Sequence, residues 1–148
     1  MSKAFLPEDA AVDEGPLVPP RPAEPQPITP AGHRRLLEER ARIDPNDEAT
    51  RTRALVLDSI LATVRIVEPT LVDGGAGFGC EVTVEDESGA IRTYTLVGPD
   101  EVDPKAGRIS SASPLGRRLL GQQEGEVIEV ERGGRKDELT IVRVALAK

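Results

Sequence analysis

Aromatic side chains are almost missing from this chain. Phe5, Phe78 and Tyr94 are the whole set among 148 residues, and there is no tryptophan. With 38% apolar residues the chain can bury one modest core, or a core with a small appendage, built from Val, Ile and Leu. Cysteine is also scarce: Cys80 stands alone, which excludes an internal disulfide and suits a reducing cytoplasm, the expected location. One cysteine and one histidine, His33, are too few for a structural zinc site, and no metal or other cofactor is expected. No apolar run approaches the roughly 20 residues that span a bilayer, so no membrane role is expected. The first residues lack the basic-then-apolar order of a secretory signal. A phosphate-cradling loop is missing as well: Gly74-Gly75-Ala76-Gly77 has no following helix and reads as a flexible hinge. Positive charge is outweighed, with a net charge of −7 that argues against phosphate-driven binding to nucleic acid and favours a protein partner.

Proline is plentiful, but unevenly placed. Pro7, Pro16, Pro19, Pro20, Pro22, Pro25 and Pro27 crowd residues 1–27, which read as a disordered tail of polyproline character, with an adaptor motif as a possible use. Helix signals start at Thr29-Pro30, a cap followed by a residue with no amide to lose. Leu36, Leu37 and Ile43 form the apolar stripe of the first helix. The pattern breaks at Asp44-Pro45-Asn46-Asp47 and resumes over about 48–65, where Ala54, Leu57, Leu61 and Val64 make a seam of the coiled-coil kind. Two such helices hide their stripes most simply as a short antiparallel hairpin, which assigns residues 28–68 to it.

Composition changes beyond residue 68. Twelve of the 14 glycines follow residue 73, and β-branched residues become frequent. Strands are predicted over 78–85, 91–97, 108–110, 127–131 and 138–144, and Gly133-Gly134 marks a hairpin turn. Ser113-Pro114 opens a short helix that Gly121 closes. The expected fold is α+β: the helical hairpin, then a domain over 69–148 of about five antiparallel strands and one short helix. Cys80 is read as a packing residue and His33 as a surface or seam residue.

Several segments of this second half resemble one known family. Phe78-Gly79, Val82-Thr83-Val84-Glu85-Asp86 and Tyr94-Thr95-Leu96-Val97-Gly98 are similar to the opening hairpin of the C-terminal domain of bacterial GreA/GreB transcription elongation factors. The run from Asp100-Glu101-Val102-Asp103-Pro104 to Ser110 resembles that family's acidic loop, and Ser113-Pro114-Leu115-Gly116 its helix. Ile28-Thr29-Pro30-Ala31-Gly32 resembles, more weakly, the start of its N-terminal helix.

The resemblance implies an FKBP-like domain that docks at the rim of the secondary channel of RNA polymerase; separately, a monomer is expected. Asp100, Glu101, Asp103, Pro104, Ser113 and Pro114 are then the expected polymerase-binding residues. On the sequence alone the three acids read rather as an ordinary solvated turn, and it is the resemblance that makes them a docking loop. In cleavage-stimulating relatives, acids at the hairpin tip hold a second Mg²⁺ beside the polymerase's own ion. Tip candidates here are Asp44, Asp47 and Glu48, but the family's Gly-Asp-Leu-Ser-Glu-Asn type of sequence does not occur. A competing reading makes Asp44 the cap of the second helix, with Asp47 in its first turn. A first helix of about 20 Å, at roughly 1.5 Å per residue, is also short for that role. The expectation is a regulator of elongation with no active site of its own and no cleavage stimulation. Left open are a cleavage-stimulating factor using Asp44, Asp47 or Glu48, and a short-armed regulator of nucleoside diphosphate kinase resembling the Rnk proteins. Sequence-specific binding of nucleic acid is not expected.

Overall fold

Thr29 and Pro30 start the first helix, α1 (Pro30–Arg42), as their chemistry dictates. The Thr29 backbone is extended and its hydroxyl accepts from the Gly32 amide at 3.0 Å. The computed structural model describes residues 18–147, so the first part of the expected tail, residues 1–17, lies outside the described residues.

The second helix, α2 (Glu48–Thr63), runs back along α1. Its cap is Asp47, whose carboxylate accepts from the Ala49 amide at 2.9 Å. Asp44, the residue expected to cap it, instead closes the tight turn before it by accepting from the Asn46 amide at 2.9 Å. Leu36, Leu57 and Ile60 pack with Ile28 in the hairpin core, and Ala54 is also buried. The seam is thus rotated from the expected one. Ile60 takes the buried place, Leu61 and Val64 are partly buried, and Leu37 remains 46% exposed. The cause is Ile28, which supplies a floor that two isolated helices would lack.

Ile28 belongs to a strand, β1 (Gln26–Ile28), that pairs in parallel with β2 (Val64–Ile66). Residues 26 and 27 are therefore strand rather than tail. Val64-Arg65-Ile66 offers β-branched residues and an open edge, which ends α2 at Thr63 instead of carrying it to residue 65. Pro27 is tolerated because a pair of strands is all edge.

The second half forms a five-stranded sheet in the spatial order β5-β4-β3-β7-β6. Its strands are β3 (Cys80–Glu85), β4 (Ile91–Val97), β5 (Arg108–Ser110), β6 (Val127–Arg132) and β7 (Arg135–Leu146). Three neighbouring pairs are antiparallel, as expected, but β5 lies parallel to β4. The sheet is mixed because the 98–107 loop carries the chain back along the sheet before β5 begins. Gly133 and Gly134 both take positive φ between the paired Arg132 and Arg135, the two-residue turn that the glycine pair predicts.

The short helix α3 (Pro114–Leu119) covers one face of this sheet. Leu119 is buried there with Val82, Val84, Leu96, Ile128, Val130, Leu139 and Ile141, and Tyr94 packs at the edge of this aliphatic core. Cys80 is fully buried in the same cluster, consistent with packing. The expected glycine hinge is not a hinge. Gly75, Ala76 and Gly77 are buried; Ala76 donates to the Gln122 carbonyl at 3.0 Å, and its carbonyl accepts from Gly121 at 2.7 Å. Glycine is required at 75 for close approach, since a Cβ there would press on the Gly121 carbonyl.

Candidate functional site

The loop between β4 and β5 holds most of the residues that the sequence singled out. Pro99 and Pro104 each open a single 3₁₀ turn, Pro99–Glu101 and Pro104–Ala106, so the chain folds back sharply twice. Gly107, at φ 79°, makes the left-handed step that returns it to β5. Asp103 and Arg108 lock the loop base through paired backbone bonds of 2.9 and 3.0 Å.

The three acids of this loop have different fates. Glu101 is 7% exposed, and its carboxylate turns inward onto the start of α1. It accepts from the Thr29 amide at 2.7 Å, the Thr29 hydroxyl at 2.6 Å and the Arg35 guanidinium at 3.3 Å. Because Thr29 caps α1, Glu101 forms a second tier of that cap, and its negative charge opposes the positive end of the helix. Gly32 makes room for it: a Cβ at that position would overlap the carboxylate.

Asp100 points the other way, toward the chain before β1. Arg21 grips both of its oxygens, at 2.6 and 2.8 Å, and also donates to the Thr63 hydroxyl at 2.8 Å. That bond from Asp100 holds the Arg21 pKa above its ordinary value, against the opposing effect of burial. Asp103 is the acid that faces solvent. Its side chain is 44% exposed and, among the described residues, pairs with Arg108, at 3.3 Å.

Pro104 is exposed beside Asp103. β5 is three residues long, about 10 Å at roughly 3.3 Å per residue, and Ser113 and Pro114 follow its far end at the start of α3. Ser113 is committed to structure, donating to the Ser110 carbonyl at 2.7 Å and accepting from the Gly116 amide at 3.0 Å. Pro114 is exposed. Of the expected binding residues, Asp103, Pro104 and Pro114 present open side-chain surface, while Asp100, Glu101 and Ser113 serve the fold.

At the hairpin tip, Asp44 and Asp47 each spend a carboxylate oxygen on a local amide, and Glu48 is exposed in the first turn of α2. No group of three or more His, Cys, Asp and Glu side chains able to hold a metal occurs among the described residues. Along the hairpin sides, Arg53 bonds Glu39 at 2.7 and 2.9 Å and Arg40 bonds Asp58 at 2.8 Å. The Arg53 bond holds the Glu39 pKa below its ordinary value, more than burial raises it.

Sequence reasoning missed Arg21, Arg35 and Arg108, which complete the junction. Arg35 and Arg108 line a cleft of about 390 Å³ with Arg34, Glu68 and Glu81. Burial, and then the nearby Arg108, pulls the Arg35 pKa down. One signal was available: a glycine three residues into a helix is a poor helix former and marks a close approach.

No helix among the described residues is long and apolar enough to cross a membrane. Residues 71–146 match the family described as transcription elongation factor, GreA/GreB, C-term. A transcription elongation factor GreA from Syntrophobacter fumaroxidans is 49% identical over 82 residues, which cover 53% of each chain. That from Methylococcus capsulatus is 41% identical over 91 residues, covering 60% of this chain and 58% of the relative. The chain spans about half the length of the curated relatives it matches. The solved GreA/GreB factor of Nitrosomonas europaea is 28% identical, covering 81% of this chain and 98% of its own, with a TM-score of 0.45. The transcription factor Gfh1 is 25% identical, covering 83% and 99%, also at 0.45. The family assignment rests on the sequence matches, which cover the whole sheet and the acidic loop: this chain belongs to the GreA/GreB family of transcription elongation factors.

Proposed function

We propose that this chain binds bacterial RNA polymerase at the rim of the secondary channel through its C-terminal domain. From there its short hairpin modulates elongation without stimulating transcript cleavage, and without an active site of its own. The reading is supported first by family membership over residues 71–146. Asp103, Pro104 and Pro114 are the part of the docking surface open to a partner, and Asp103 steers approach to basic groups on the polymerase.

The observation that carries the cleavage half is the hairpin itself. Helix α1 has 13 residues and so extends only about 20 Å, at roughly 1.5 Å per residue. At its end Asp44 and Asp47 each commit one carboxylate oxygen to a turn and a cap. Such a probe occupies the channel entrance but delivers no metal ligand set.

Two measurements test this. In a pull-down with core polymerase, an Asp103→Ala, Pro114→Ala double variant is expected to lose most of the binding of the parent chain. Equal binding by the two, or none by either, ends the docking reading. In stalled elongation complexes, saturating chain is expected to leave nascent RNA at full length. Shortening that disappears in an Asp44→Ala, Asp47→Ala variant would restore the cleavage reading.

A further inference from the structure

The segment before β1 is built as a strap, and its anchor is one of the acids that docking would call on. Arg21 reaches across the junction and ties the end of α2, at Thr63, to the acidic loop, at Asp100. The ion pair is a two-pronged guanidinium–carboxylate fork, the strongest geometry that such a pair adopts. Both Asp100 oxygens are occupied and its side chain is only 10% exposed. A partner's basic group cannot take this carboxylate while Arg21 holds it.

Local sequence favours closure. Pro19, Pro20, Pro22, Pro25 and Pro27 restrict the backbone on both sides of Arg21, so little conformational freedom is lost when the strap settles. Pairing of β1 with β2 fixes the far end, which leaves Arg21 five residues from an anchored strand. So short a tether keeps the guanidinium close to Asp100. Gly98, just before the loop, lies so close to the Pro27 carbonyl that a Cβ would overlap it, so the loop also touches the strand that anchors the strap.

We infer that residues 18–25 are an internal competitor for the docking loop: Arg21 occupies Asp100 in the free chain and is displaced when a basic group of the polymerase takes its place. The inference rests on the docking reading above. It makes apparent affinity depend on how often the strap is open.

The test uses the full chain and core polymerase. Arg21→Ala is expected to tighten binding severalfold, by the reciprocal of the fraction of chains whose strap is open. In an Asp100→Ala background the same change is expected to have no effect. In the parent chain, hydrogen exchange of amides in residues 18–25 is expected to speed up when polymerase is added. Thermal unfolding of Arg21→Ala beside the parent separates lost folding from altered binding, and the exchange measurement needs no variant. Binding by the parent that Arg21→Ala leaves unchanged or weakens, or strap peptides that stay equally protected in the complex, overturns the inference alone. Absence of binding by the parent and by Arg21→Ala alike overturns the docking reading and the strap with it.

Discussion

Removing the Glu101 carboxylate is expected to cost this chain more stability than removing any other acid of the loop. In Glu101→Ala, the amide and hydroxyl of Thr29 lose acceptors at 2.7 and 2.6 Å. Thr29 is 5% exposed, so water cannot readily replace them. A buried donor left unsatisfied costs about 1–3 kcal/mol. Arg35 also loses its partner, but it is 42% exposed and returns to solvent at little cost. The gap left beside Gly32 adds a cavity contribution. The sum is about 2–5 kcal/mol.

Glu101→Gln keeps the shape and one acceptor but turns an NH₂ toward a donor, so a loss of about 1–2 kcal/mol is expected. Asp103→Ala, at an exposed pair, is the control and is expected to change stability by less than about 0.5 kcal/mol. Urea unfolding followed by far-UV circular dichroism reads all three as shifts in midpoint at a common slope. Hydrogen exchange at the Thr29 and Gly32 amides locates the effect. If Glu101→Ala and Asp103→Ala move the midpoint equally, Glu101 does not hold the junction.

Three smaller predictions follow from the same contacts. Gly32→Ala would raise helix propensity by about 1 kcal/mol in an open helix, but here its methyl meets the Glu101 carboxylate, so a lower melting temperature is expected; a higher one would refute the close approach. Asp47→Ala is expected to cost about 1 kcal/mol by unfolding, and Asp44→Ala less, because Asp47 holds the cap; the reverse order would return the cap to Asp44. The Glu39 pKa lies below its unfolded value, so the Arg53 pair contributes fully above the unfolded carboxylate range and fades as pH falls through the folded value. Both side chains are well exposed, so Arg53→Gln is expected to cost no more than about 0.5 kcal/mol at neutral pH and nothing in acid. A cost that persists in acid would place it elsewhere.

Most of the architecture was legible because it depends on local chemistry. Thr29-Pro30, Ser113-Pro114 and Gly133-Gly134 each fix a cap or a turn within a few residues, and each is found where those residues put it. What was misread depends on partners distant in sequence. Gln26-Pro27 looks like tail until Val64–Ile66 supplies a strand to pair with. The run Gly74-Gly75-Ala76-Gly77 looks flexible until Gly121 and Gln122 close on it. The parallel placement of β5 follows from two 3₁₀ turns that no alternation of residues announces.

The acidic loop shows why a charge cluster cannot be assigned as one unit. Asp100, Glu101 and Asp103 are equivalent in composition and nearly adjacent, so on the sequence they share one fate. A 3₁₀ turn has three residues per turn, which sends successive side chains in different directions. Asp100 and Glu101 diverge accordingly, one to Arg21 and the other to Thr29, and Asp103 opens the next turn toward solvent. A carboxylate at Glu101 cannot serve a partner without uncapping α1, and one at Asp100 serves a partner only by releasing Arg21. Asp103 alone can do so while the junction stays intact. Loss of docking on Asp103→Ala, without loss of stability, would therefore separate recognition from architecture within four residues of one loop.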